Sequence, residues 1–213
     1  MFITLEGPEG SGKTSHLDQL AERIRQAGFE VVITREPGGT AIGDEIRDTL
    51  LNLKNTAMHP VTEILLFQAS RAQHVHELIL PALEAGKVVL CDRFADSTIA
   101  YQGYGHQTDL EELSRIIRFA TGGLQPDLTL LLDVDIETGL QRRQKDKEKW
   151  DRLDAKEKAF HLRVRQGYLK MAAAQPERWV VVDATMPLEV VQGELQRVVL
   201  ERLQDRLTTD EYR

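Results

Sequence analysis

The stretch that most constrains this chain lies at its start, where Phe2-Ile3-Thr4-Leu5-Glu6 runs into Gly7-Pro8-Glu9-Gly10-Ser11-Gly12-Lys13-Thr14. Five residues of strand-like, largely apolar character give way to a glycine-rich turn, and a helical pattern begins at once. The turn fits G-x-x-x-x-G-K-[ST], the phosphate-binding P-loop. Each residue type has a physical reason to be there. Gly7, Gly10 and Gly12 let the backbone curl so that several N–H groups face one anion, with Pro8, Glu9 and Ser11 completing the loop. The helix that follows adds the positive end of its dipole. Lys13 can reach the β and γ phosphates of a nucleotide, and the Thr14 hydroxyl can ligate Mg²⁺. A nucleoside triphosphate is the expected ligand.

Beyond the loop, strand and helix alternate. Leu17, Leu20, Ala21, Ile24 and Ala27 recur at helical spacing, and Gly28 is placed to end that helix. Short apolar strands are expected at Val31–Thr34, Val88–Cys91, Leu128–Leu132 and Trp179–Val182. Helical patterns cover Ile42–Leu51 and Val61–Ala85, the second interrupted by Pro81, where a kink or restart is expected. A last helix carries Leu188, Val191, Leu195 and Val198, and Thr208–Arg213 reads as a frayed tail. Uniformly apolar strands separated by helices imply an α/β, three-layer P-loop NTPase-type fold, a five-stranded parallel sheet with helices on both faces. The length of 213 residues suits one such domain, with no repeat or linker.

Composition narrows the partners. A net charge of −7 provides no overall basic field for nucleic acid. The single cysteine, Cys91, excludes an internal disulfide and fits a reducing compartment. No run of about 18 apolar residues exists to span a membrane, and the N-terminus lacks the basic flank of a signal peptide. The expected location is cytoplasmic.

Ligands of such sheets sit at the carboxyl ends of the strands. Strand two is followed by Arg35-Glu36-Pro37-Gly38-Gly39, strand three by Asp92-Arg93-Phe94, strand four by Asp133-Val134-Asp135. An acid directly after strand three or four can hold Mg²⁺ through water. Arg93 can point a planar fork at a second phosphate, or can simply pair with Asp92. A P-loop plus an independent phosphate clamp suggests transfer between two phosphorylated ligands.

Three further segments are informative together. Leu90-Cys91-Asp92-Arg93-Phe94-Ala95-Asp96-Ser97-Thr98-Ile99-Ala100-Tyr101-Gln102-Gly103 closely resembles the signature of thymidylate kinases. Thr34-Arg35-Glu36-Pro37-Gly38-Gly39-Thr40 and Leu65-Leu66-Phe67-Gln68-Ala69-Ser70-Arg71-Ala72-Gln73-His74 are similar to two more motifs of that family. The resemblance runs in order from Phe2 to the last helix and implies a bacterial-type enzyme that uses ATP and Mg²⁺ to phosphorylate thymidine 5′-monophosphate (dTMP). It implies that Phe67 stacks on thymine and Arg71 donates to a base carbonyl. In the same way Arg93 would clamp the acceptor phosphate, Glu9 contact the sugar 3′-hydroxyl, and Tyr101 crowd the 2′ position. Ser97, Thr98 and Gln102 would complete the pocket, and Arg35 and Glu36 would brace it or form a structural ion pair. Thr14 and Asp92 are the expected metal residues, and a homodimer paired through the helix at Val61–Ala85 is implied.

The charged run Gln141–Arg152 reads either as a solvated helix face or as the family's lid, at about residues 142–152. Some relatives carry a catalytic arginine in the P-loop, where this chain has Gly10, so the charge is expected from Arg142, Arg143 or Arg152. The run is diluted by Lys145, Lys147 and Lys149, which cannot copy the guanidinium fork, and it contains Trp150 without an evident reason. The expected mechanism is in-line transfer of the γ-phosphoryl group. The alternatives are a kinase for another nucleotide or nucleoside, and a non-catalytic P-loop switch.

Overall fold

The computed structural model describes residues 1–145 and 151–210. Five strands, β1 (Phe2–Glu6), β2 (Val31–Arg35), β3 (Val88–Asp92), β4 (Leu128–Asp133) and β5 (Trp179–Asp183), form one all-parallel sheet in the order β2-β3-β1-β4-β5. β1 lies at the centre, with Leu5 in register with Asp92 on one side and Leu130 on the other. The loops after β1, β3 and β4 therefore emerge side by side.

Helices α1 (Lys13–Gln26) and α9 (Leu188–Asp210) cover one face of the sheet. Leu17, Leu20 and Ile24 pack there with Leu195, Val199 and Leu203 against Ile3, Leu5 and Leu130. α1 stops where Gly28 takes φ +92°, with Gly28 N–H donating to Arg25 O and Phe29 N–H to Ile24 O. That is a Schellman termination, which requires the left-handed residue glycine supplies.

The opposite face carries α3 (Pro60–His74) and α8 (Lys158–Ala174), with α2 (Ala41–Leu51) packed on α3. Phe67, Tyr101, Phe160, Tyr168 and Trp179 form one core there, and Phe2, Val75, Ile79, Val89 and Phe94 another. The helix expected over Val61–Ala85 is divided as Pro81 demands. A π-helical turn at Val75–Ile79, in which Leu80 N–H donates to Val75 O, widens the helix before α4 (Leu80–Glu84). Proline lacks the N–H for the regular ladder and needs room for its ring.

After β3 a short α5 (Ala95–Thr98) passes into a second π-helical segment, Ile99–Gly105, and then α6 (Leu110–Thr121). α7 (Ile136–Lys145) follows β4. The remainder of the expected lid, Asp146–Trp150 with Lys147, Lys149 and Trp150, lies outside the described residues. The expected tail is helical as far as Asp210, and 211–213 are likewise outside them.

Candidate active site

A cleft of about 910 Å³ opens at the carboxyl ends of β1, β2, β3 and β5. Its floor is the P-loop, in which Gly7, Gly10 and Gly12 all have positive φ (148°, 70° and 89°). Lys13 folds back over the loop, its Nζ donating to Gly7 O (3.0 Å), Pro8 O (3.1 Å) and Ser11 Oγ (3.0 Å). Burial, and then the positive charge of Arg93, bring its pKa down to about 8. Thr14 Oγ1 donates to Asp92 Oδ2 at 2.7 Å, and Asp92 Oδ1 is buried with no hydrogen-bond partner among the described residues. A hydroxyl and a half-satisfied carboxylate at this distance fit a hard, oxygen-seeking cation such as Mg²⁺.

The absence of an arginine at Gly10 has a steric cause. A Cβ there would fall on the carbonyl oxygen of Gly139 in α7, and a Cβ on Gly139 would fall on the carbonyl of Glu9. Two glycines thus let α7 lie backbone-to-backbone on the loop. Asp135 opens this helix by accepting Thr138 N–H (2.9 Å), while Asp133 pairs with Arg165 through both oxygens.

α7 delivers Arg142 and Arg143 to the cleft. Arg142 Nη1 donates to Ala184 O (2.9 Å). Arg143 Nε donates to both Asp154 oxygens (3.0 and 2.9 Å), and its Nη2 lies 3.4 Å from Asp151. Arg152, grouped with them by sequence, is elsewhere. It does not line the cleft, and its Nη1 sits 2.6 Å from Glu63 Oε2 in a buried ion pair. The loop after Asp183 contributes Ala184, Met186 and Leu188 to the far wall.

The facing wall is built around Arg93. Its backbone is left-handed, φ +68°, unusual for a side chain of this size. Nη1 donates to Gly7 O (3.0 Å), Ser97 Oγ (3.2 Å) and Tyr168 OH (3.1 Å), and Nη2 to Glu9 Oε1 (3.0 Å). The pairing with Asp92 allowed by the sequence is not made; Asp92 holds Thr14 instead. The Arg93 guanidinium also lies 5.0 Å over the Tyr101 ring. Glu9 accepts from Tyr101 OH as well (2.7 Å). Burial pushes the Glu9 carboxyl up, but Arg93, Lys13 and the tyrosine together hold it at about 2.

Glu6 is a participant that sequence reasoning missed. It is fully buried at the end of β1, accepting from Phe94 N–H (2.7 Å), Ser97 Oγ (2.6 Å) and Tyr168 OH (2.9 Å). The same two hydroxyls receive Arg93, so Glu6 orients the groups that hold the arginine. Burial, and then Asp96, raise its pKa to about 7. The available signal was an ionisable residue closing an otherwise apolar central strand.

α3 carries Phe67 into the cleft, with Arg71 one turn on. Arg71 is 2 % exposed and closely held: Nε to Glu36 Oε2 (2.8 Å), Nη1 to Gln68 Oε1 and Thr98 Oγ1 (both 2.9 Å), Nη2 to Phe94 O (3.0 Å). Glu36 is steadied by His74 Nδ1 (3.0 Å), whose Nε2 lies 2.7 Å from Thr34 Oγ1. Arg35 and Glu36 therefore do not pair with each other; Arg35 donates to Asp44 (3.0 Å). Ser97, Thr98, Tyr101 and Gln102 all reach the cleft, as does Arg47, a second residue the sequence reading passed over.

Residues 5–195 match the family model described as thymidylate kinase. A thymidylate kinase of Herpetosiphon aurantiacus is 50% identical, with 98% of this chain and 97% of the relative covered. One from Thermomicrobium roseum is 53% identical with 94% of each covered, and one from Exiguobacterium sp. (strain AT1b) is 48% identical with 96% of each covered.

Proposed function

The chain belongs to the thymidylate kinase family, and on that premise we propose how its residues divide the work of phosphoryl transfer from ATP to dTMP. The reaction yields thymidine 5′-diphosphate on the way to dTTP. The observation that carries the division is the position of Arg93, bonded at once to the P-loop backbone at Gly7 and to Glu9, in one cleft with Lys13. A donor loop and an acceptor clamp that share hydrogen bonds can hold two phosphates in line.

Phosphoryl transfer asks the protein for alignment and for charge, not for a covalent partner. The acceptor phosphate is already anionic at neutral pH, so no strong general base is needed. The backbone N–H groups of the P-loop from Gly7 to Thr14, all but Pro8, and the Lys13 ammonium hold the donor; Lys13 must leave Gly7 O, Pro8 O and Ser11 Oγ to do so. Arg93 aligns the acceptor phosphate. Glu9 and Tyr101, already joined, present one polar edge to the deoxyribose. Phe67 supplies the face for thymine, with Arg71, Thr98 and Gln102 around it and Glu36 fixing Arg71. Ser97 holds Arg93, and Arg35 lines the same side. Arg142 and Arg143 close over the reacting phosphates, exclude water and neutralise developing charge. Thr14 and Asp92 would hold Mg²⁺, which when bound neutralises the phosphate oxygens of ATP.

The whole chain acts as one kinase domain with its lid near 142–152. It pairs as a homodimer, supported by Val61 and Leu65, which lie one turn apart on α3 and are 55% and 54% exposed, and by Ile42 of α2, 53% exposed. Its working compartment is the cytoplasm, supported by a single, buried cysteine. Sedimentation of wild type beside Leu65→Glu tests the pairing; a wild-type monomer would refute it.

The function is tested by offering ATP with dTMP, dUMP, UMP, GMP and free thymidine under one condition. Turnover should favour dTMP over the ribonucleotides by about 100-fold or more. Preference for a ribonucleotide or a free nucleoside would overturn the assignment, and ATP hydrolysis indifferent to every acceptor would favour a switch protein.

A further inference from the structure

Arg152 stands outside the cleft, buried and held through two of its three guanidinium nitrogens, while its Nη2 has no hydrogen-bond partner among the described residues. It is 5% exposed, its Nη1 meets Glu63 Oε2 at 2.6 Å, and its Nε donates to Leu50 O at 2.9 Å. Glu63, 1% exposed, sits in the first turn of α3, one turn before Phe67 and two before Arg71. Its other oxygen accepts from Gln102 Nε2 at 2.7 Å and lies 3.2 Å from His106 Nε2. Glu63 thus joins the acceptor wall, through Gln102, to the chain that returns from the lid.

The neighbours of Arg152 face the other way. Asp151 and Leu153 line the cleft, and Asp151 and Asp154 hold Arg143 of α7. Asp151 Oδ1 also receives the N–H groups of Leu153 and Asp154 (2.8 and 3.2 Å), so these residues form one compact turn. A shift of Arg152 must move that turn, and the turn carries the acceptors of Arg143. A buried ion pair adds little net stability, because desolvation offsets the attraction; its use here is to fix geometry.

We propose that Glu63 and Arg152 are positioning residues that latch the far end of the lid to the acceptor pocket and thereby aim Arg143 at the reacting phosphates. Because Gln102 shares the Glu63 carboxylate, a nucleotide that engages Gln102 changes the partner set of the latch. Acceptor occupancy and the placement of Arg143 are coupled through one carboxylate. The inference rests on the roles given above to Gln102 and Arg143, and it moves Arg152 from a catalytic contact to one acting at a remove. To act as the catalytic arginine itself, Arg152 would have to abandon Glu63 and leave a buried, uncompensated charge.

The test is a pair of double-mutant cycles read in kcat and in KM for each substrate, with thermal midpoints alongside. Glu63→Gln and Arg152→Met should each lower kcat by about 10- to 100-fold, the scale of a misplaced catalytic group, with KM for ATP nearly unchanged. The double variant should be no worse than the poorer single. Arg152→Lys, which keeps a cation for Glu63, should recover part of the loss. Arg143→Met and Arg152→Met should also be non-additive, a cycle that decides the matter even if Glu63→Gln does not fold. Additive losses, a normal Glu63→Gln beside an inactive Arg152→Met, or lowered midpoints with intact kcat would each overturn the latch. Wild-type turnover of dTMP in the same series separates these failures from failure of the kinase reading, which would leave the wild type itself inactive.

Discussion

On the donor side of the cleft, the bonds that shape the P-loop are short in sequence: Lys13 reaches back six residues to Gly7 and five to Pro8. On the acceptor side, Arg93 spans 86 residues to Gly7 and 84 to Glu9, and Arg71 spans 35 to Glu36. The donor wall is a backbone conformation, set by glycines and a helix start. The acceptor wall is a buried charge network whose members meet because β3 lies between β2 and β1. A local wall fails locally when altered. A networked wall passes damage to every partner, since each lost bond leaves a buried polar group unsatisfied.

The largest effect that would test this contrast comes from Arg93→Ala. Turnover with dTMP should fall about 1,000-fold, on the scale of removing a preorganised donor to transition-state charge, while ATP affinity by calorimetry stays within about threefold. Near-normal turnover would end the two-wall description.

A smaller effect sharpens the donor side. Gly10→Ala adds a Cβ where φ is +70° and the Gly139 carbonyl blocks it, so α7 must move. Stability should drop by about 2 kcal/mol and kcat by about tenfold as the α7 arginines shift. Gly28→Ala is the control: φ is +92°, but a Cβ would meet nothing within 4 Å. It should cost about 1 kcal/mol in urea unfolding and leave kcat alone. Equal kinetic effects of the two would show that the contact with α7 is immaterial.

The smallest effect is a slope with pH. Glu6 is raised from 4.5 to about 7, so the native state keeps a proton that the unfolded chain releases. Its contribution to stability is therefore greatest below about 4.5, declines as pH rises to about 7, and is flat beyond. Glu9 and Glu63, held at about 2, run the opposite way and lose their contribution only as pH falls below 4.5 toward that value. Urea unfolding of wild type and Glu6→Gln at pH 5, 6 and 7 checks the sign: the wild type should lose stability relative to the variant across this range. A constant difference would show that Glu6 stays ionised throughout.

Legibility divides along the same line. The P-loop, the α1 stop at Gly28 and the break before Pro81 were readable because each is a property of a few adjacent residues. Arg93 was readable as a strand-end arginine, but its partners were not. Arg142, Arg143 and Arg152 were equivalent in sequence, three arginines in one charged run. Only the path of the chain separates two that reach the cleft from one buried against Glu63. Glu6 was hidden because an acid also ends β3, β4 and β5, so its place at a strand end did not set it apart.

The alternation of strand and helix, the anion-binding loop and, through ordered motifs, the family are written in the order of the residues. These follow from local backbone preference and hydrophobic pattern, which act over a few residues. The sheet order, the seating of α7 on Gly10, the hydroxyl bridge from Glu6 to Arg93 and the pairing of Arg152 with Glu63 arise only in the folded chain. Those depend on which distant groups are desolvated together, because a buried charge must find its counterpart wherever the packed chain brings one within reach.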